Sequence, residues 1–326
     1  MPLHLHFGAD DLLRIRFAVS PLCETHEAVR TLRRTDRHGY HAPWLRRMRT
    51  RLAGLDLTPL WLFMPASPPG YTPDFLGLPP DSPMPGFDEE LARLRATDPE
   101  LARAEMAKSL AGTPGGTRSA RGRAALADPA RAVQELADVT ERAWHALLAP
   151  DWPRLRALLE AEIAYRSRQL ADGGLRRLFA DLHPRLTWSG GTLTVRTRTD
   201  FLQTQDLDGR GMLLLPSVFA WPDVVSGFDP PWQPTVIYPA RGIGGLWAEP
   251  DAGPALARLL GPKRAAVLAA LDAPSSTTAL ARRLGLAPSS VSAHLSVLRA
   301  AGLLTSHRHA HEVLYEQTPL GLALLG

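Results

Sequence analysis

The chain has 326 residues, of which 45% are hydrophobic, and its formal net charge is +4. This length and apolar content exclude a disordered chain and predict two folded domains. The single cysteine, Cys23, excludes an intrachain disulfide, and the sequence contains neither a signal peptide nor an apolar run long enough to span a membrane. We therefore expect a soluble cytoplasmic protein without a membrane partner.

The first part of the chain has the apolar spacing of helices separated by irregular segments. The residues from Asp10 to Val19, from Pro21 to Leu32 and from Pro43 to Leu55 predict helices. The segment from Pro65 to Pro85 is rich in proline, which lacks a backbone N–H and so excludes a regular helix over most of its length. This segment predicts a long extended loop.

Further along, two long helices are predicted before the period changes to that of β-strands. The helices cover Pro129 to Leu148 and Pro153 to Leu170. The stretch PRLTWSGGTLTVRT alternates around Gly190 and Gly191, which predicts a β-hairpin. The runs GMLLLPSVF and PTVIYPA predict further strands, so residues 1–252 are predicted to form a mixed helical and sheet (α+β) domain.

The strand-rich part of this domain contains four tryptophans: Trp188, Trp221, Trp232 and Trp247. Aromatic side chains at this density can line a pocket for an apolar ligand, although they also fill cores. We interpret these four as the lining of an effector pocket. The sequence has no nucleophile elbow, no His-Glu-x-x-His and no paired-cysteine metal spacing. We therefore expect no enzymatic activity, no catalytic residue and no cofactor.

Residues 253–326 predict helix, helix, turn, helix and hairpin. Pro262 occupies the first turn of one helix, Ser276 or Thr277 can cap the next, and Gly285 ends it. Pro288 then begins a third helix. Its apolar residues recur at i, i+4 and i+7, namely Val291, Leu295 and Leu298.

After Gly302, the stretches LLTSHR and EVLYEQ predict two strands of a hairpin, and Thr318-Pro319 begins a last short helix. This order of elements is that of a winged helix-turn-helix, in which the second helix of the motif enters the major groove of DNA. The fold class predicted for the whole chain is therefore α+β, with a large mixed domain followed by a C-terminal winged helix-turn-helix.

The third helix of this unit carries small polar side chains outside its apolar stripe: Ser289, Ser290, Ser292 and Ser296. A recognition helix needs small hydrogen-bonding side chains where its backbone approaches base edges and phosphates. In an isolated helix the same serines would indicate a solvated face. Within the complete helix-turn-helix pattern they predict DNA contact.

The stretches TTALARRLGLAPSSVSAHLSVLRAAGLL and VLYEQTPLG resemble the ArsR-type winged-helix repressors of bacteria. The stretches LHFGADDLLRIRFAVSPL, PDFLGLPP and YPARGIGGLW resemble the uncharacterised domain that precedes such a unit in a group of long ArsR-like regulators. The resemblance implies a DNA-facing recognition helix and a hairpin around His307 to His311 that contacts the DNA backbone. The predicted DNA-binding residues are Thr277, Thr278, Ser289, Ser290, Ser292, Ala293, Ser296, Arg299, His307, Arg308 and His309.

Two groups of residues raise the alternative of a metal site. The side chains of His307, His309 and His311 would share one face of an extended strand, and Cys23 and His26 are three residues apart on a predicted helix. The histidines are better interpreted as a polar tip near phosphates, and the Cys/His pair is incomplete. The helix-turn-helix unit contains no cysteine, so a thiolate metal sensor of the usual kind is not expected. We predict no metal.

From residue 262 onward the sequence has six basic and three acidic side chains, a net charge of +3 before histidine. This is a weak charge for one module, and a dimer would double its phosphate contacts. We predict a homodimeric regulator of transcription, a repressor, that binds double-stranded DNA. Its residues 1–252 would serve dimerisation and the sensing of a small organic effector. The alternative is a small-molecule-binding or enzymatic domain with a helix-turn-helix that does not bind DNA.

Overall fold

In the computed structural model the chain divides into two compact units, Met1–Trp247 and Ala248–Gly326. The structure describes residues 2–34, 38–65, 70–113, 115–196, 203–227, 230, 232–247, 252–271, 274–309 and 312–325. The sequence placed the division a few residues later, after residue 252. The predicted class is confirmed, because a mixed helical and sheet unit precedes a helix-turn-helix unit.

The first unit alternates helical and strand segments along the chain. Its helices are α1 Ala9–Leu12, α2 Pro21–Arg33, α3 His38–Arg51, α4 Thr58–Phe63, α5 Phe87–Arg95, α6 Pro99–Ala111, α7 Ala120–Ala127, α8 Pro129–Leu147, α9 Trp152–Ala180 and α10 Ile243–Leu246. Its strands are β1 Pro2–His6, β2 Ile15–Phe17, β3 Leu186–Ser189, β4 Thr192–Arg196, β5 Gln203–Asp206, β6 Met212–Ser217, β7 Val225–Gly227 and β8 Thr235–Pro239.

Helix α8 organises the helical part of this unit, since α2, α4, α5, α6 and α7 all pack against it. The carboxylate of Asp128 caps α8 by accepting a hydrogen bond from the N–H of Arg131 at 3.1 Å. The buried stripe of α8 includes Val133, Leu136 and Trp144. The helices predicted from Pro21, Pro129 and Pro153 are confirmed as α2, α8 and α9.

The proline-rich segment is packed against these helices in its described part, residues 70–85. It contains one short 3₁₀ turn, Asp74–Gly77, in which Phe75 is fully buried. The N–H of Phe75 donates to Oε2 of Glu105 on α6 at 2.8 Å. This buried hydrogen bond holds a segment that proline prevents from forming a helix.

Within the described residues, the strands of the first unit form two four-stranded sheets. The first has the order β3-β4-β1-β5, and its β3-β4 hairpin turns at Gly190 and Gly191, which have φ values of 55° and 77°. Two positive φ values in a two-residue loop are the geometry for which glycine is favoured, and the predicted hairpin is confirmed. The second sheet has the order β2-β6-β8-β7, with β2, β6 and β8 parallel. Every residue of β6 is buried, as is usual in a parallel sheet covered on both faces.

The prediction of a helix from Asp10 to Val19 is wrong beyond its first turn. The structure has the short helix α1 and then the strand β2, in which Ile15 pairs with Met212 and Phe17 pairs with Leu214. Pairing with a buried strand distant in sequence outweighs the local helical spacing of this stretch.

The second unit has the order α11 Ala252–Leu260, α12 Pro262–Ala269, β9 Ser275–Ser276, α13 Thr277–Leu284, α14 Pro288–Ala300, β10 Leu304–His309, β11 Glu312–Gln317 and α15 Pro319–Leu325. Its core joins α12, α13 and α14 through Val267, Leu268, Leu280, Val291 and Leu295, which are fully buried. The three strands form a small sheet of order β10-β11-β9. None of the helices within the described ranges of the whole chain is long and apolar enough to cross a membrane.

Candidate nucleic-acid interface

Helices α13 and α14 are joined by a tight turn. The side chain of Ser276 caps α13 by accepting a hydrogen bond from the N–H of Ala279, at 3.4 Å. Gly285 ends α13 in the left-handed conformation, with a φ of 63°, and the N–H of Leu286 donates to the carbonyl of Ala281. Pro288 then supplies the first residue of α14. This local chemistry creates the helix-turn-helix.

Helix α14 has one buried face and one exposed face. Val291, Leu295 and Leu298 are buried against the preceding helices. The other face exposes most of the predicted DNA-binding side chains, namely Ser289, Ser292, Ala293, Ser296 and Arg299. Ser290 is half-buried. The structure therefore places these side chains together on the exposed face of α14.

The predicted contacts before α14 lie at the beginning of α13. Thr277 is half-buried, and Thr278 is exposed. They follow β9, a short strand that the sequence did not predict, which pairs Ser275 with Tyr315 and Ser276 with Leu314. This pairing ties the beginning of the helix-turn-helix to the wing.

The wing is formed by β10 and β11, which pair antiparallel. Leu304 lies opposite Gln317 at one end of the pairing, and His309 lies opposite Glu312 at the other. His307 and Arg308 are exposed, and Nδ1 of His307 lies 3.8 Å from Oε1 of Glu316. The side chain of His309 and the whole of His311 lie outside the described residues. Exposed imidazole and guanidinium groups at a hairpin can donate hydrogen bonds to phosphate oxygens.

The residues weighed as metal ligands have other surroundings. Cys23 is buried, and burial together with nearby carboxyl groups raises the pKa of its thiol. Nε2 of His26 lies 2.9 Å from Oγ1 of Thr140, and burial lowers the pKa of His26 to about 4. Within the part of the chain that the structure describes, no three His, Cys, Asp or Glu side chains form a group that could hold a metal ion.

Of the four tryptophans predicted to line an effector pocket, Trp188 packs in a different hydrophobic cluster from the other three. Trp188 packs edge-on against Phe7 and stacks near Phe179, with ring centroids 5.0 and 5.4 Å away. That cluster lies around the β1-β4 part of the first sheet. Trp247 belongs instead to the helical core, where its Nε1 donates to Nδ1 of His41 at 3.1 Å.

Trp221 and Trp232 are half-buried and pack against the same helical core as Trp247, each through its own contacts. Nε1 of Trp232 donates to Oε1 of Glu105 at 3.0 Å, whereas Trp221 packs edge-on against Tyr40 with the ring centroids 4.7 Å apart. Two surface cavities of about 510 and 470 Å³ are lined by other residues, one along α8 and one beside α1. Among the described residues, three of the four tryptophans therefore pack at one hydrophobic core and Trp188 at another.

The sequence analysis did not assign Val297 to the DNA-facing set. This residue is 48% exposed on α14 and follows Ala293 by four residues. Its i, i+4 spacing from Ala293 places it on the same face of the helix as that predicted contact.

Comparison with protein families divides the chain in the same way. Residues 88–244 match a family of unknown function, DUF5937, and residues 259–307 match a helix-turn-helix domain family. The second match extends from the end of α11 into β10. No curated protein and no solved structure is significantly similar to the chain. The two matched domains, a domain of unknown function ahead of a C-terminal helix-turn-helix, fit the order of a long-form ArsR-type regulator.

Proposed function

We propose that this protein is a cytoplasmic transcriptional repressor that binds a specific double-stranded DNA site as a homodimer. Helix α14 reads the site in the major groove, and the wing contacts the backbone. The first unit senses a small organic effector that changes DNA affinity, and no catalytic role is assigned to it. One observation carries the DNA-reading part: α14 follows a tight turn, buries a narrow apolar stripe, and exposes serine and alanine side chains on its opposite face.

Small exposed side chains allow the backbone of α14 to approach DNA closely. Ser289 lies in the first turn, and Ala293 follows it one turn later. No acidic side chain occurs in α14, so the helix adds no charge that phosphates would repel. Arg308 on the wing supplies a cation that can bind a phosphate oxygen.

The homodimer is supported by apolar surface on the first and last helices of the second unit, α11 and α15, which pack against each other. Leu259 is 72% exposed, and Leu320 and Leu322 are each 56% exposed. Exposed leucines on adjacent helices are unfavourable in water, and a second copy of the chain can bury them. Two copies also place two recognition helices on one duplex, which increases both affinity and specificity.

The effector part of the proposal is carried by an aromatic pair at the surface of the first unit. Tyr40 is 49% exposed and contacts the half-buried Trp221. Gly39 and Gly244 border this pair, since a Cβ at these positions would lie 3.2 and 3.5 Å from the rings of Trp221 and Tyr40. An apolar or aromatic molecule can stack on such a surface. A ligand that quenches the parent's fluorescence but not that of Trp221→Phe would support this site, and equal quenching of both would contradict it.

The DNA-reading part is tested by placing a negative charge on α14. Ser292→Glu should reduce binding to the selected DNA site at least about a hundredfold, because a carboxylate would face phosphates and base acceptors. Ser167→Glu, at an exposed serine on α9, is the matched control and should bind like the parent. Fluorescence anisotropy with labelled duplex measures both affinities, and circular dichroism checks folding. If folded Ser292→Glu binds as tightly as the parent, α14 does not read DNA.

A further inference from the structure

Helix α14 exposes an apolar strip beside its serines. Val297 is 48% exposed, so the free protein leaves much of this aliphatic side chain in water. Ala293 is also exposed and precedes it by four residues, and Ser289 precedes it by eight. Because a helix turns by about 100° per residue, these three side chains lie along one face. Val291 lies two residues before Ala293 and Leu295 lies two residues after it, so both lie on the opposite face of the helix. Both are buried.

The same helix offers few side chains for reading bases by hydrogen bonds. Its sequence, PSSVSAHLSVLRA, contains none of Asn, Gln, Lys, Asp and Glu. These residue types, with arginine, make most of the specific hydrogen bonds to base edges. Arg299 lies in the last turn and donates to Ser306 on the wing.

One of the serine hydroxyl groups already donates a hydrogen bond within the helix. Oγ of Ser296 donates to the carbonyl oxygen of Ser292 at 2.9 Å. This bond uses the only hydroxyl proton of Ser296, which can then only accept a hydrogen bond from DNA. Apart from the half-buried His294 and from Arg299, base discrimination by α14 therefore depends on a few single hydroxyl contacts and on apolar contact.

The major groove offers one apolar group to a protein, the C5 methyl of thymine. We infer that Ala293 and Val297 contact thymine methyl groups, so that each half-site contains A·T pairs under this strip. Burying Val297 against a methyl removes from water a side chain that the free protein leaves exposed. This inference rests on the proposed function and names the base pairs that its site takes.

Deoxyuridine differs from thymidine only in lacking this methyl, so it isolates the contact. The probe is the duplex that the full-length chain selects from a random-sequence library, with each thymine in turn replaced by deoxyuridine. At a contacted thymine the replacement should weaken binding by the parent about fourfold, the effect of one buried methyl. In Val297→Ala the same replacement should change the affinity much less. Val313→Ala removes a valine that is 43% exposed on the wing strand, and it should keep the parent's fourfold ratio.

Two results would overturn the inference while leaving the proposed function intact. In the first, no deoxyuridine replacement changes the affinity of the parent, although Ser292→Glu abolishes binding. In the second, Val297→Ala and the parent lose the same factor at every thymine, so the methyl is read elsewhere. A chain that selects no DNA from the library would overturn the proposed function and this inference together.

Discussion

Arg299 in the last turn of α14 donates a hydrogen bond from Nη1 to Oγ of Ser306 on β10, at 3.2 Å. The bond joins the recognition helix to the first strand of the wing, the two elements that we propose to contact DNA. A guanidinium has five N–H donors, so the others stay free for a phosphate oxygen. Arg299 can therefore fix the angle between helix and wing as well as bind DNA.

Removal of the wing cation should weaken all DNA binding alike. Arg308 is exposed at the wing, where we propose that its guanidinium contacts the DNA backbone and not the bases. Arg308→Ala should reduce affinity for the selected site and for unrelated DNA by the same factor. The slope of log affinity against log salt should become less steep by about one unit. Anisotropy titrations between about 50 and 200 mM salt measure both quantities. A loss confined to the selected site would mean that the wing reads sequence.

A charge on α15 should weaken the homodimer. Leu322 is 56% exposed on the proposed dimer surface, and Leu322→Glu would bring two carboxylates into an apolar contact. We expect the dimer dissociation constant, measured by sedimentation, to rise at least about tenfold. Leu13→Glu is the control, because Leu13 is 86% exposed on the first unit. Equal association of the two variants would exclude α15 from the interface.

A buried ion pair in the first unit should contribute strongly to its stability. Glu162 accepts hydrogen bonds from Nε of Arg166 at 2.6 Å and from Nε of Arg241 at 2.7 Å, and the Glu162 and Arg166 side chains are almost fully buried. Glu162→Ala leaves the Arg166 guanidinium buried without its carboxylate, which should cost about 3–5 kcal/mol of unfolding free energy. The control is Glu160→Ala, which breaks an exposed ion pair between Glu160 and Arg156 on the same helix. It should lower the unfolding free energy by about 0.5 kcal/mol.

Urea unfolding followed by tryptophan fluorescence measures both effects, because all eight tryptophans lie in the first unit. If Glu162→Ala and Glu160→Ala lower the unfolding free energy equally, the buried network does not stabilise this unit.

A second buried carboxyl should make stability depend on pH. Burial raises the pKa of Glu24 from 4.5 to about 8, although the N–H of Val218 donates to its Oε2 at 3.0 Å. The folded protein holds this proton over a range in which the unfolded chain has released it. The contribution of Glu24 to the unfolding free energy is therefore fully present below pH 4.5, and it is lost as the pH rises through about 8. His26 acts in the opposite direction, because its pKa of about 4 makes the fold lose stability as the pH falls below 6.5.

Glu24→Gln replaces the protonated carboxyl by a neutral group that can still accept the Val218 hydrogen bond. Between about pH 6.5 and 8.5 the parent should lose on the order of 2 kcal/mol relative to this variant. Glu90, whose pKa burial raises to about 7, titrates in both proteins and cancels in the comparison. Parallel unfolding curves for the two proteins across this range would show that Glu24 is ionised in the fold.

The sequence predicted most of the second unit because its elements are fixed by local chemistry. Pro288 begins α14, Gly285 ends α13, and Val291 and Leu295 have the spacing of a docked helix. The sequence did not predict β9, because a two-residue strand has no period of its own. It forms only where Ser275 and Ser276 meet β11.

The first unit was harder to predict because its sheets join distant segments. The strand β2 follows a helical turn without a break in apolar spacing, and only its partner β6, far along the chain, holds Ile15 and Phe17 extended. The four tryptophans were grouped because they are close in sequence. Their partners, such as Phe7 for Trp188 and His41 for Trp247, come from much earlier in the chain, and they place Trp188 in a different cluster from Trp247.

The most direct test of DNA reading by α14 is to sequence the DNA that the full-length protein retains from a random library. The Ser292→Glu and Ser167→Glu variants are run beside it. We predict one enriched motif for the parent and for Ser167→Glu, with two half-sites about 10 bp or a multiple of that apart. Ser292→Glu should retain no motif. Absence of an enriched motif from the parent, or the same motif retained by Ser292→Glu, would contradict the proposal.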